Sequence, residues 1–290
     1  MTGKGVYILI MKYTTGMILC CFLLTATLTG ETLKHASPPA PRIVSLAPAL
    51  TELVCFLGYG KALVGRSEVC NYPSFVKKLP VTGSFGNPEG ERILALRPTL
   101  VLANDLAKPA ILNPFRKAKI RVLFKQCRNL EDYCAWVALL GRELNCTGKA
   151  EAELKRIDSF RKECRALNQK TARKKRVLWV IWDSPLMVAG KGSLPHTVLT
   201  LAGGINCAGE VGQEYFKASY EWVLSNPPEV IVWTASEKRV RTLKNHPFWK
   251  QLEAVKKGRV IHTLDSDTLQ RPGPRLTEGV RLLRKALEKI

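Results

Sequence analysis

One segment of this chain occurs twice. Glu91-Arg92-Ile93-Leu94-Ala95-Leu96-Arg97-Pro98-Thr99-Leu100-Val101-Leu102-Ala103 returns in degraded form as Glu221-Trp222-Val223-Leu224-Ser225-Asn226-Pro227-Pro228-Glu229-Val230-Ile231-Val232-Trp233. In both copies a glutamate opens a short helical turn, a proline stands seven positions later, and an apolar run follows. Proline cannot continue a helix, and a short apolar run behind it reads as a buried strand, so each copy predicts a helix feeding a strand. Further landmarks repeat in the same order, about 130 to 140 residues apart. Arg176-Val177-Leu178-Trp179-Val180 answers Arg42-Ile43-Val44-Ser45-Leu46, and Gly258 to His262 answers Lys119 to Leu123. Several landmarks in register point to two similar lobes, with one glutamate at an equivalent point on each.

Within each half, strands alternate with helices, which predicts a mostly parallel sheet with crossover helices. Thr51 to Leu57 reads as a helix stopped by Gly58, and Thr197 to Ala202 as one stopped by Gly203-Gly204. Between the halves, Glu131–Leu144 and Lys149–Gln169 are glycine-poor, with Thr147-Gly148 read as their interruption. In the second segment Ala152, Leu154, Ile157, Phe160, Cys164 and Leu167 recur at helical steps. The expected fold is therefore α/β: two Rossmann-like αβ lobes bridged by one long helix. The expected divisions are a signal peptide over 1–30, a tether over 31–41, an N-terminal lobe over 42–146, the bridging helix over 147–172 and a C-terminal lobe over 173–290.

The signal peptide rests on Lys4 and Lys12 ahead of the apolar run Met17–Leu24, followed by small residues to Gly30. Met11 before Lys12 offers an alternative start. The run is short for a membrane span, so the chain is expected to be exported, to the periplasm or the outer face of the cytoplasmic membrane. A formal net charge of +21 implies an acidic surface or partner. No nucleic-acid-binding motif accompanies it, and only Arg173-Lys174-Lys175-Arg176 is a tight basic run. The seven cysteines past the signal (Cys55, Cys70, Cys127, Cys134, Cys146, Cys164 and Cys207) lack zinc-site spacing. Cys55 with Cys70, or Cys127 with Cys134, are near enough in sequence to pair, and buried apolar thiols account for each equally well.

Catalytic motifs are missing. There is no nucleophile elbow, His-Glu-x-x-His or P-loop, and Gly190-Lys191-Gly192 lacks the third glycine of a dinucleotide loop. Asp265 and Asp267 have no third metal ligand nearby in sequence. A cleft between lobes suits a small ligand, and the loops carry aromatic residues fit for a flat or polycyclic one: Tyr72, Phe85, Trp182, Tyr215 and Phe216. Trp179 and Trp233 lie within apolar runs and read as core.

The opening Arg42-Ile43-Val44-Ser45-Leu46-Ala47-Pro48-Ala49-Leu50-Thr51-Glu52 resembles the periplasmic binding proteins that serve vitamin B12 and iron-siderophore ABC importers. So do Asn71-Tyr72-Pro73, Glu91 through Pro98, Ala202-Gly203-Gly204-Ile205-Asn206 and Arg271-Pro272-Gly273-Pro274. The resemblance runs through residues 42 to 288 and is nearest to the cobalamin-binding branch. It implies a monomeric, non-enzymatic carrier with no cofactor or metal of its own, which takes a corrinoid between its lobes to a permease and its ATPase. Haem or a ferric siderophore are the alternative ligands, and a chelatase-like metal-handling enzyme is the rival of another class. By resemblance the ligand contacts fall on Tyr72, Tyr215 and the segment Asp267-Thr268-Leu269-Gln270-Arg271, and Glu91 and Glu221 match the two glutamates that dock on arginines of the membrane subunits. Phe85 and Trp182 join the ligand set as loop aromatics. The family's disulfide has no cysteines here, where Ala202 and Arg284 stand. Cys70, close to Tyr72, is a further expectation as a group near a bound metal.

Overall fold

A computed structural model describes residues 40–234 and 237–290; the signal segment, the alternative starts and most of the tether lie outside the described residues. The first lobe is built from β1 (Ile43–Ser45), α1 (Pro48–Phe56), β2 (Leu63–Arg66), β3 (Gly83–Ser84), β4 (Asn87–Pro88), α2 (Gly90–Ala95), β5 (Leu100–Ala103), α3 (Asn113–Lys117) and β6 (Arg121–Phe124). Its main sheet runs β2-β1-β5-β6, all parallel, while β3 and β4 form a separate hairpin. Two helices follow, α4 (Leu130–Glu143) and α5 (Thr147–Lys170).

The second lobe contains β7 (Arg176–Asp183), β8 (Leu186–Ala189), α6 (Leu194–Leu201), β9 (Ile205–Asn206), β10 (Tyr215–Lys217) and α7 (Tyr220–Ser225). It continues with β11 (Val230–Val232), α8 (Glu237–Thr242), α9 (Glu253–Lys256), β12 (Val260–Ile261), α10 (Ser266–Gln270) and α11 (Leu276–Glu288). Here β9, β7, β11 and β12 are parallel neighbours, repeating the order of the first sheet. The far half of β7 bends into an antiparallel extension through β8 to β10. Tyr215 and Phe216, read as loop residues from the sequence, belong to that extension.

The repeat is structural. Helices α2 and α7 both have six residues, with Glu91 and Glu221 second in each. Ile93 and Val223 are buried beneath them, and Pro98 and Pro228 are buried where the chain turns into the next strand. Strand register confirms the correspondence: Leu100 pairs with Ile43 in the first lobe as Val230 pairs with Val177 in the second.

Helix α5, about 36 Å long at 1.5 Å per residue, bridges the lobes. Its buried residues are Ala150, Glu153, Ile157, Phe160 and Cys164. Ala152 and Leu167, expected in the stripe, face solvent, and the inward position four residues before Ile157 is taken by the acid Glu153. Glu153 is buried because its carboxylate is fully engaged. Tyr133 donates to it at 2.7 Å, and Arg156 reaches both oxygens at 2.6 and 2.7 Å. Arg156 also donates to Thr277 Oγ1 and Pro274 O in the second lobe, so one buried acid ties the bridging helix to both sides.

The interruption between α4 and α5 lies at Leu144–Cys146, where Asn145 adopts φ 51°, and not at Thr147-Gly148, which open α5. First-turn amides need no intrahelical acceptor, so a glycine there costs little. Gly141 instead is required by packing: a Cβ would sit 2.4 Å from that of Ala150, so the two helices cross where both residues are small. The helix ends at Lys170, two residues short of the expected 172. Trp179 and Trp233 are buried in the second lobe. All seven described cysteines are free thiols. Arg284 donates to Leu201 O at 2.6 Å beside Ala202, linking α11 to the end of α6 at the pair of positions where the resemblance implies a disulfide.

Candidate ligand cleft

Ligands of open parallel sheets sit beyond the carboxyl ends of the strands, and both sheets point those ends at one hollow of about 590 Å³. Ala47, Pro48 and Ala49 follow β1; Asn104, Asp105 and Leu106 follow β5; Cys127 and Arg128 follow β6. The second lobe supplies Leu194, Glu214 and Tyr215, with Asp267, Gln270 and Arg271 from the region of α10. One exposed aromatic comes from each side: Phe85 from the β3–β4 turn, 40% exposed, and Tyr215 from β10, 44% exposed. With Val69, Leu106 and Pro272 they give the hollow a largely apolar wall suited to a flat ligand.

Its polar groups are paired to one another. Arg128 bonds Asp105 within the first lobe and approaches Glu214 of the second at 4.0 Å. The bond from Asp105 holds the guanidinium more firmly charged than usual. Arg271 donates to Asn71 Oδ1 at 2.7 Å and to Glu52 at 3.1 Å, and pairs with Asp267 at 2.7 Å. Burial pushes the Tyr215 phenol up, assisted by Glu214, and pushes the Cys127 thiol up to about 12. Both are therefore neutral at ordinary pH and supply no ready nucleophile.

Of the expected ligand residues, Phe85, Tyr215, Asp267, Gln270 and Arg271 line the hollow. Tyr72 does not. Its ring lies under the Arg275 guanidinium at 4.0 Å and faces a neighbouring crevice with Phe56 and Arg156, while Val69, three residues earlier, takes the cleft position. Trp182 stands 58% exposed at the β7–β8 turn, its indole donating to Ser184 O, and does not line the hollow. Thr268 and Leu269 turn into the protein, against Gly279 of α11, where a Cβ would come within 2.5 Å of Thr268 O. Cys70 is fully buried among Thr51, Ser67 and Ser45, in the core of the first lobe.

Sequence reasoning missed Asn104, Asp105, Leu106, Cys127, Arg128 and Glu214. The available signal was position: the first five come directly after predicted strands. No group of three or more potential metal ligands occurs among the described residues.

Glu91 and Glu221 are exposed, and neither forms an ion pair among the described residues. An exposed leucine follows three positions after each, Leu94 at 37% and Leu224 at 46%. Bonds from its own backbone and from the Ser219 hydroxyl hold the Glu221 carboxyl below its usual range.

The sequence profile of the periplasmic binding protein family matches residues 43–267. The chain belongs to that family. Its curated relatives include the vitamin B12-binding protein of Vibrio parahaemolyticus, 26% identical over 86% of this chain and 90% of the relative. That of Salmonella typhimurium is 29% identical over 87% of this chain and 91% of the relative. Among solved structures, the apo heme-binding protein RhuT from Roseiflexus superposes with a TM-score of 0.78 at 26% identity, covering 86% of this chain and 98% of that one. The vitamin B12-binding protein BtuF of Vibrio cholerae gives 0.69 at 27% identity, covering 87% and 98%. The two-lobed fold with its bridging helix is thus the family's architecture. No helix among the described residues is long and apolar enough to cross a membrane.

Proposed function

We propose that this chain is the exported solute-binding component of an ABC importer, taking a corrinoid between its lobes and passing it to the membrane permease and its ATPase. The observation that carries the reading is the cleft itself. Phe85 and Tyr215 approach from opposite lobes over an apolar wall, and the charged groups around them, three carboxylates and two guanidiniums, are already engaged with one another. Such a surface suits a large, near-neutral macrocycle. The curated relatives named for vitamin B12 support the same class.

The carrier works without catalysis; of the cleft groups, burial holds Cys127 and Tyr215 protonated, and Asp105 holds Arg128 charged. It acts as a monomer and holds no cofactor of its own. Phe85, Tyr215, Asp267, Gln270 and Arg271 hold the ligand, and Glu91 and Glu221 are the permease contacts, one per lobe. A carboxylate offers bidentate, orientation-specific recognition to an arginine. Two of them at equivalent points suit a two-fold partner.

Haem is the second reading, favoured by the heme-binding neighbours, and Tyr215 would be the oxygen donor the cleft offers to its iron. Titration of the purified mature protein with cobalamin, cobinamide, haem and ferric siderophores, followed by calorimetry and visible absorbance, decides between them. A corrinoid should bind with a shift in its absorbance. Haem bound through Tyr215 should lose its characteristic spectrum in Tyr215→Phe. Failure of all four ligands to bind would sink both readings.

A further inference from the structure

The end of the second lobe remote from the cleft carries cations in excess of their partners. Arg173, Lys175 and Arg176 lead into β7, and Lys257 and Arg259 lead into β12 two strands away. Over Pro227 and Pro228 they surround a hollow of about 580 Å³. Two carboxylates stand in it. Glu229 is taken by Arg173 at 2.6 Å, and Glu253 by Lys256 and Lys257. Arg176 reaches only a carbonyl, Pro227 O at 3.4 Å, and Lys175 and Arg259 have no carboxylate partner among the described residues.

A second hollow, of about 160 Å³, opens on the other side of Arg173 and Lys175 and is closed by Arg284, with the exposed carboxylate Glu288 at its rim making no ion pair with that guanidinium. That guanidinium is only 9% exposed, yet its bonds go to neutral acceptors, Asn168 Oδ1 and Leu201 O, both at 2.6 Å. A charge withdrawn from water and left without a counter-charge is unfavourable, and an anion beside it would relieve that cost. The first lobe is different. Val122 pairs with Val101 as Val260 pairs with Ile231, so Arg121 occupies the position of Arg259. There Glu143 closes Arg121 with two bonds, at 3.1 and 3.2 Å, and Arg42 is engaged by the carbonyls of Leu96 and Arg97. Arg42, like Arg176, meets only carbonyls, so the lobes differ at Arg259, which lacks the carboxylate that Arg121 has, and at Lys175.

We infer that this edge is a binding site for a ligand bearing two or more phosphate groups, centred on Lys175. One phosphate sits between Lys175 and Arg284, and the next reaches Arg176 and Arg259. Guanidinium groups offer paired donors to tetrahedral oxyanions, and ammonium groups add unoriented charge. Two adjoining hollows with a shared lysine fit a linked pair of anions better than a single one. Free oligophosphate and the headgroups of an anionic lipid surface share this chemistry.

The test titrates the mature protein with tripolyphosphate by calorimetry and sediments it with vesicles of phosphatidylcholine alone or mixed with phosphatidylglycerol. It compares wild type, Lys175→Ala/Arg259→Ala and the control Lys155→Ala, an exposed cation on α5. Lys175 and Arg259 make no side-chain hydrogen bond that the fold depends on, so thermal unfolding of the double variant should match wild type. Tripolyphosphate binding weakened by at least about tenfold in the double variant but not in the control assigns the site to a soluble ligand. Loss confined to the phosphatidylglycerol vesicles assigns it to a lipid headgroup. Equal loss in the control, which marks diffuse attraction to net charge, overturns the proposal, as does no binding to either probe.

Discussion

Arg271 Nη1 meets Glu52 Oε1 at 3.1 Å across 219 positions of sequence, joining the second lobe to α1 of the first. The carboxylate is 4% exposed and takes a second guanidinium, Arg275, at 2.8 and 2.9 Å. Arg271 is further anchored to Asn71 and Val69 O. Arg271 lines the cleft while Glu52 and Arg275 line the crevice beside it, so the cluster joins the two lobes next to the ligand site.

Removing the acid takes away the carboxylate that two largely buried guanidiniums share, leaving Arg271 to Asp267 and Arg275 to Asp265. Breaking a buried pair from one side costs about 3–5 kcal/mol. For a chain of this size, Glu52→Ala should lower the unfolding midpoint by on the order of 10 °C in a calorimetric or circular dichroism melt. A shift under about 2 °C would mean that solvent already screens the cluster.

The aromatic residues separate the cleft from its surroundings. Tyr215 presents its ring to the hollow, and Tyr72 and Trp182 do not. Truncating an aromatic anchor typically costs about 2 kcal/mol, roughly thirtyfold in Kd. Tyr215→Ala should therefore weaken corrinoid binding by that order. Tyr72→Ala and Trp182→Ala should leave the Kd within about twofold. Titration of the three variants in parallel checks the geometry, and a large loss in Tyr72→Ala would refute it.

These residues also show what sequence could and could not supply. The duplicated Glu–Pro–strand segment led to α2, β5, α7 and β11 and to both exposed glutamates, because proline position and apolar run length are local signals. The cleft is formed where separate strand ends converge, which is a long-range relationship. Loop aromatics such as Tyr72 and Trp182 gave exposure without direction, and Tyr72 is turned aside by stacking with Arg275, 203 residues later in the chain. Thr268 and Leu269 lie inward because Gly279 lets α10 settle on α11. Glu153, an acid inside an apolar stripe, is explained only by its tertiary partners, Tyr133 and Arg156.

Thiol chemistry should be suppressed at Cys55, Cys127 and Cys207. Burial raises Cys127 to about 12 and Cys55 and Cys207 to about 11. These folded values lie above the unfolded ones, so the unfolded chain loses its thiol protons first as pH rises. Their contribution to stability is full below about pH 9 and is lost between there and pH 12. Cys127 should carry roughly a thousandth of the thiolate of an ordinary cysteine. Iodoacetamide at pH 8, read by mass spectrometry of the folded protein, should leave it unmodified while denatured protein reacts fully. Rapid labelling of folded protein would show that the cleft floor opens.

The two exposed glutamates are a final point of contact between fold and function. Glu91 and Glu221 occupy the same position in helices related by the duplication, and neither forms an ion pair among the described residues. Helix-terminal carboxylates alone contribute under about 1 kcal/mol, so Glu91→Ala with Glu221→Ala should barely alter the melt. Ligand affinity should also be unchanged, since neither residue lines the cleft. If the pair docks on arginines of a permease, the double variant should abolish stimulation of transporter ATP hydrolysis in reconstituted vesicles, and each single variant should weaken it. The hydrogen bonds from its own backbone and the Ser219 hydroxyl hold the Glu221 carboxyl below its usual range, so it keeps its charge further into acid than an unassisted glutamate. Stimulation should accordingly persist to lower pH in the wild type than in Ser219→Ala, which lacks one of those bonds. Full stimulation by the double alanine variant would remove the docking assignment.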